Sequence, residues 1–472
     1  MNARGWLVRA LALATVVGSV LVGCGGGVGS GGTGIASGVT DGTVNGYGSV
    51  IVDGDRFDDS AVAAYAETAP GVQTQTDARL GARVEVESEQ GKATRLRVDS
   101  ALLGSVESVR ADGFDVLGQR VRVNATASSG PVTQFGGGYT GLASVRAGDA
   151  VEVHAFTLRT ATGFELQATR VQRLTAMPEY VRVSGLVSGL DAAGFSLGTL
   201  RVVAAGADVL PAGTALANGE SVTVLARKSS LAPASGPAQQ LHADQVRVRL
   251  LGRPGDQVAT SGVLGALDLG AGRFDLGGTT VDYRQASVRP DASSLVAGRY
   301  VQVRGTLAVD GTLMAETVRV LDGRSSAEAE LKGNVIGLDN TGLRFQVRGV
   351  DVDAGRADIE ECPGGRLTEG AFVEIEGRLG PTGVIAKSVQ CKEAPTDATI
   401  ERKGVAGSVD TATRRFVLTR AGGSIQTVSW SDLTYFRNVT PVTLAGQQVE
   451  VTGQLVDGVL VAKKIQVESE DD

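Results

Sequence analysis

Apolar and polar residues alternate in short runs along this chain, and one such run returns six times. A glycine, two further residues and a Val-x-Val or Val-x-Ile triplet stand at 81–86, 148–153, 219–224, 298–303, 370–375 and 446–451. The six glycines are 67, 71, 79, 72 and 76 residues apart. An apolar-polar-apolar triplet is the period-two signature of a strand with one buried face. Other runs keep step with it. An opening strand is led by Gly42, Gly104, Gly185, Gly262, Gly333 or Gly404. In five copies a Phe-x-aliphatic strand follows, carrying Phe114, Phe195, Phe274, Phe345 or Phe416. A closing strand then sets an alanine three residues before an aliphatic: Ala93/Leu96, Ala168/Val171, Ala243/Val246, Ala315/Val318, Ala386/Val389 and Ala462/Ile465.

Each copy therefore predicts about five short strands and no amphipathic helix. A sheet that small must hide its edges. Curling into an OB-like barrel does so economically, and a small two-sheet sandwich is the alternative. The expected fold is all-β: six tandem domains at 39–101, 102–176, 177–252, 256–323, 327–393 and 399–468. The aligned phenylalanines read as core plugs. Strung end to end, six such units would project on the order of 100 Å.

Composition agrees with many short strands. Hydrophobic residues make up 42% of the chain but aromatics only 4%, and 66 glycines fit frequent tight turns. The formal charge is −7, and a removed leader would take Arg4 and Arg9 with it, leaving −9. With no long basic block, this balance argues against a nucleic-acid partner. Residues 469–472 form an acidic tail.

Residues 1–23 read as a secretory signal. A positive start carries Arg4 and Arg9, and an apolar run spans 11–22. Twelve helical residues reach about 18 Å, short of a bilayer core of about 30 Å. The string Leu21-Val22-Gly23-Cys24 resembles the bacterial lipobox. That resemblance implies a diacylglycerylated Cys24 at the mature N-terminus, anchored firmly by several acyl chains. Gly25 in place of Asp implies onward sorting to the outer membrane. Residues 24–38 are rich in Gly and Ser and read as a flexible tether.

The first repeat departs from the others in Gly46-Tyr47-Gly48-Ser49-Val50-Ile51-Val52-Asp53-Gly54-Asp55-Arg56-Phe57-Asp58. This string, with the repeats behind it, resembles a bacterial family of domains of unknown function, number 5666. Its members are multi-repeat β proteins, often lipidated, with no assigned activity, so the resemblance implies fold and compartment and no mechanism. Asp53-Gly54 reads as a tight hairpin turn, and the atypical copy as a capping unit.

Candidate chemistry is sparse. His154 and His242, the two histidines, align with solvent-facing or unshared slots. Gly194-Phe195-Ser196-Leu197-Gly198 has the spelling of a nucleophile elbow, but Ser196 aligns with mid-strand positions and no helix follows. The pairs Glu85/Glu87 and Glu374/Glu376 read as solvated faces. No metal-ligand spacing occurs, and no cofactor is expected. Cys362 and Cys391 fall at strand ends in the fifth repeat, which predicts a structural disulfide in an exported protein.

The expected function is a lipid-anchored cell-envelope scaffold, non-catalytic, that meets the membrane through its lipid and an envelope protein or glycan through its loops. The variable loops at 74–79, 126–140, 205–217 and 358–367 are the expected contact regions. Alternatives are an exported enzyme acting on glycans with its site between repeats, and oligonucleotide or oligosaccharide binding by OB-like barrels.

Overall fold

The computed structural model describes residues 32–33, 37–160, 163–232, 239–321, 328–392, 400–420, 425–431, 434–456 and 459–467. The expected signal peptide 1–23, Cys24 and the acidic tail 469–472 lie outside the described residues. Helix among the described residues is limited to three-residue 3-10 turns, and none is long and apolar enough to cross a membrane.

The fourth repeat shows how each unit is built. Its strands are Gln257–Asp268, Arg273–Leu276, Thr279–Asp282, Tyr300–Leu307 and Leu313–Val320. The first three form an antiparallel meander. The third then runs parallel to the last, pairing Val281 with Leu313. The last is antiparallel to the fourth, and the fourth to the first, with Gly262 opposite Val301. The ring closes in the order first, second, third, fifth, fourth, first, which is a small OB-like barrel. The other repeats repeat this order, and the chain is all-β with barrel-like domains. Inward positions are the ones the alternation marks: Phe274, Val281, Val301, Val303, Leu313 and Val318 are all 2% exposed or less. The aligned Phe114, Phe195, Phe345 and Phe416 are buried in the same way.

Two features extend the expected five strands. A sixth, short strand precedes the Gly-x-x-Val turn and runs parallel to the far half of the closing strand, as Ser287–Arg289 does beside Thr317 to Arg319. A bulge also follows the recurrent alanine, so that the register skips Glu316, Lys387 and Lys463. Opposite that alanine lie Gly305, Gly377 and Gly453. A Cβ at Gly305 would sit 2.0 Å from the Met314 carbonyl oxygen, and one at Gly453 2.1 Å from that of Val461. Small residues recur there because the two backbones touch.

The repeats are not beads on a string. The first strand of repeat 1, Ser37–Gly46, pairs in parallel with the first strand of repeat 4 through Val39 to Asp41, and at its end with Glu330 of repeat 5. Repeats 2 and 3 are joined where Arg182 and Val183 pair with Leu103 and Leu102. Repeats 1 and 5 share one buried apolar cluster and repeats 2 and 3 another, whereas repeats 4 and 6 each hold their own. Barrels of this size bury a smaller share of their surface alone than larger domains do, so sharing faces adds burial. Repeat 6 forms a separate six-stranded sheet and meets repeat 1 through Arg414 and Asp77 at 3.7 Å. Repeats 1 to 5 are therefore not strung end to end.

The tether is also shorter than the expected 24–38. Gly32–Thr33 pairs with Asp55 and Arg56, and Ser37 and Gly38 already pair with Glu89 and Ser88. A Cβ on Gly38 would lie 2.3 Å from the Gln257 carbonyl oxygen, so this glycine serves contact with repeat 4 rather than flexibility.

Candidate functional site

Repeat 1 is the hub of the assembly, and its atypical string is what makes it one. Tyr47 donates its N–H to the Glu330 carbonyl and accepts that of Lys332, both at 2.9 Å. Arg56 meets the Glu330 carboxylate at 2.5 Å. Asp53 sits in the hairpin turn at φ +48° and faces repeat 4. Its carboxylate accepts from Thr43 N–H at 2.9 Å, Ser261 Oγ at 2.5 Å and Tyr300 OH at 3.0 Å. Asp55 accepts from Gln302 at 2.9 Å and from Arg304. The capping role expected of this repeat is therefore replaced by a central one.

Arg83, 3% exposed, ties the junction together. Its guanidinium donates to Asp41 at 2.8 Å, Thr43 at 3.1 Å and Ser261 at 3.3 Å. A second knot lies beside it. Asp99 is met by Arg182 at 3.1 Å, Arg249 at 3.4 Å and Arg97 at 3.6 Å. Burial pushes the Asp53 and Asp55 carboxyls up, against Arg83 and Arg304 respectively. At Asp99 burial acts the same way, but Arg97, Arg249 and Arg182 outweigh it and hold the carboxyl below the usual range. Asp53, Ser261 and Tyr300 are each under a tenth exposed, and they line neither of the two cavities described below. This junction braces repeats.

Several expected positions change character because of this docking. His154 does not face solvent: it is 3% exposed, and its Nδ1 accepts the Arg83 N–H at 3.3 Å. Burial pushes its imidazole down, against the pull of Glu152. The slot is open in a lone barrel, but here it is covered by repeat 1. Glu85 likewise pairs with Arg97 at 2.9 Å, with burial raising its carboxyl, while Glu87 stays on an open face. His242 is exposed, and Ser196 lies within the strand Gly194–Leu197. Cys362 and Cys391 are joined as a disulfide, Cα atoms 4.8 Å apart. Among the described residues no group of His, Cys, Asp or Glu could hold a metal ion.

The open space lies where repeats 1, 2 and 5 meet. A cavity of about 550 Å³ is walled by Tyr47 and Arg79 of repeat 1, Gln134 to Thr140 and Arg170 of repeat 2, and Arg348 to Asp351 of repeat 5. Its size falls in the range of small-molecule sites. Each pair of walls is hydrogen-bonded directly. Tyr47 joins 1 to 5; Phe135 N–H to Pro381 O and Gln134 Nε2 to Gly380 O, both 2.8 Å, join 2 to 5. Arg170 to Leu80 O at 3.0 Å joins 2 to 1. The cavity is thus preformed by the docking. A second cavity of about 740 Å³ lies along repeat 5 itself and meets the first at Asp351, Thr382 and Gly383.

Charge inside the first cavity opposes that of the whole chain. Its ionisable lining is Arg79, Arg170 and Arg348 against Asp351, with the phenols of Tyr47 and Tyr139. Burial and then the neighbouring Arg79 push Arg170 down to about 10. Arg348 is lowered by burial, against Asp59 and Tyr47. Arg79 lies 3.5 Å from Asp77. Two of the loops expected to carry contacts, 74–79 and 126–140, supply part of this wall. Arg170 and Arg348 were not legible, since each is one charged residue in a strand or hairpin whose neighbours only docking reveals.

The family model described as "Domain of unknown function (DUF5666)" matches residues 104–172, 261–319 and 403–466, within repeats 2, 4 and 6. No curated protein matches the chain. Among solved structures the chain is similar to drosophila Unr CSD456, at 14% identity over 44% of this chain and 97% of that one, with a TM-score of 0.15.

Proposed function

We propose that this chain, in which the DUF5666 model matches three repeats, works as a non-catalytic binding scaffold held on the cell envelope by a lipid on Cys24. The observation that carries the reading is the docking itself: four barrels braced around repeat 1 leave a preformed cavity at a three-way junction. Recognition benefits from such rigid walls, because less freedom is lost on binding. The polar groups best placed for chemistry, Asp53, Ser261 and Tyr300, are spent on the brace. The lipobox-like string and Gly25 support the anchor and the outer membrane, and the loops around the cavity would meet an envelope glycan or protein.

Growth with a clickable palmitate analogue, followed by fractionation, tests the anchor. Label and membrane retention are expected for the native chain and should vanish in Cys24→Ser. An unlabelled, freely soluble native chain would overturn the anchored reading. Saturable turnover of any glycan by the purified chain would overturn the non-catalytic one.

A further inference from the structure

We propose that the cavity between repeats 1, 2 and 5 is a binding site for an anionic sugar, in which a phosphate or carboxylate oxyanion is clamped by Arg170 and Arg348 with Arg79 at the rim. The inference rests on reading the chain as a binding scaffold and names the ligand class of that site.

Three observations carry it. First, three arginines and one aspartate line a partly open cavity in a protein whose net charge is −7. Guanidinium forks match carboxylate and phosphate oxygens in paired hydrogen bonds. Second, the arginines are costly where they stand. Arg170 is held by a backbone carbonyl and by the Gln172 side-chain oxygen at 2.6 Å, both neutral partners. Among the described residues the Arg348 guanidinium has no hydrogen bond or ion pair, and Asp59 acts on it only electrostatically. Among the described residues neither guanidinium has a carboxylate within ion-pair distance, and a cation compensated only at longer range gains from a bound anion. Third, the rest of the wall suits a polyhydroxylated body. The Gln172 amide, bonded once through each end to Arg170 and Arg173, keeps a further donor and acceptor position, and the Tyr47, Phe135 and Tyr139 side chains line the same wall. Gly137 lets the repeat 2 loop press in, since a Cβ there would meet the Arg173 carbonyl oxygen at 2.2 Å.

Calorimetric titration of the detergent-solubilised full chain tests this with glucose 6-phosphate, glucuronate and neutral glucose. One saturable site per chain is expected for one or both anionic sugars and none for glucose. Binding of only glucose 6-phosphate assigns the site to phosphate esters, and binding of glucuronate to carboxylates. Arg348→Gln should weaken binding about tenfold or more. Asp351→Asn, which removes the one acid of the wall, should tighten it about threefold, a gain that misfolding cannot produce. Arg415→Gln, exposed in repeat 6, should leave it unchanged. No saturation by either anion at about 10 mM, equal binding of glucose, or an unchanged affinity in Arg348→Gln would each overturn the proposal. Loss of membrane anchoring in the labelling experiment would leave it standing, so the two readings fail separately.

Discussion

At the scale of single residues, the junction around Arg83 sets the energetics. Removing one partner of a buried ion pair leaves the other charge stranded, so Arg83→Ala should cost about 3–5 kcal/mol of unfolding free energy. Tyr300→Phe keeps the packing and deletes one hydroxyl shared by Asp53 and Ser261, and should cost about 1–2 kcal/mol. Denaturant unfolding of both variants checks the order. Asp99 makes the pH dependence. Its folded pKa lies below its unfolded value, so its contribution is complete above about pH 4 and is lost as the pH falls from there towards the folded value. Asp99→Asn should therefore be less stable at neutral pH and show a shallower loss of stability between about pH 4 and 2, read from thermal midpoints across that range. None of this was legible in the chain. Asp53 reads correctly as a turn residue, and what it bonds lies more than 200 positions away, at Ser261 and Tyr300.

Within a barrel the sequence is far more transparent. Val301 and Val303 alternate with Gln302 and Arg304 as a strand demands, and Phe274 plugs the core where the repeat aligns it. The sixth strand escaped because three residues such as Ser287-Val288-Arg289 carry no periodicity of their own. The small-residue positions separate two kinds of glycine. Gly298 holds φ +88° with open space around its Cβ position, so Gly298→Ala meets backbone strain alone and should cost about 1 kcal/mol. Gly305→Ala drives a methyl against a carbonyl oxygen and should cost more, about 2–3 kcal/mol. Chemical denaturation of the two variants should rank them in that order; equal costs would remove the close-contact explanation of the Gly–Ala pairing. Replacing Cys362 and Cys391 together by Ser opens a loop spanning 29 positions and should destabilise repeat 5 by about 3–4 kcal/mol, seen as lost amide protection in Phe372–Leu379.

Across the whole molecule, the sequence announces six barrels but not how they dock. Docking leaves no periodic trace, because faces that are polar in a lone barrel stay polar when buried against a matched partner. His154 and Glu85 were read as solvent-facing for that reason, and Arg83 gave no sign of its depth. The one visible signal was the departure of repeat 1 from its siblings, whose extra Tyr47, Asp53, Asp55 and Arg56 all reach into repeats 4 or 5. The central claim is that these contacts bind five barrels into one body around the cavity. Amide hydrogen exchange at Tyr47, Lys332 and Phe135 tests it most directly, since each N–H donates across a boundary between repeats. The account expects these three amides to be protected about as well as Val303, whose partner lies within its own barrel. Free exchange at all three, with Val303 still protected, would contradict it and return the repeats to independent beads.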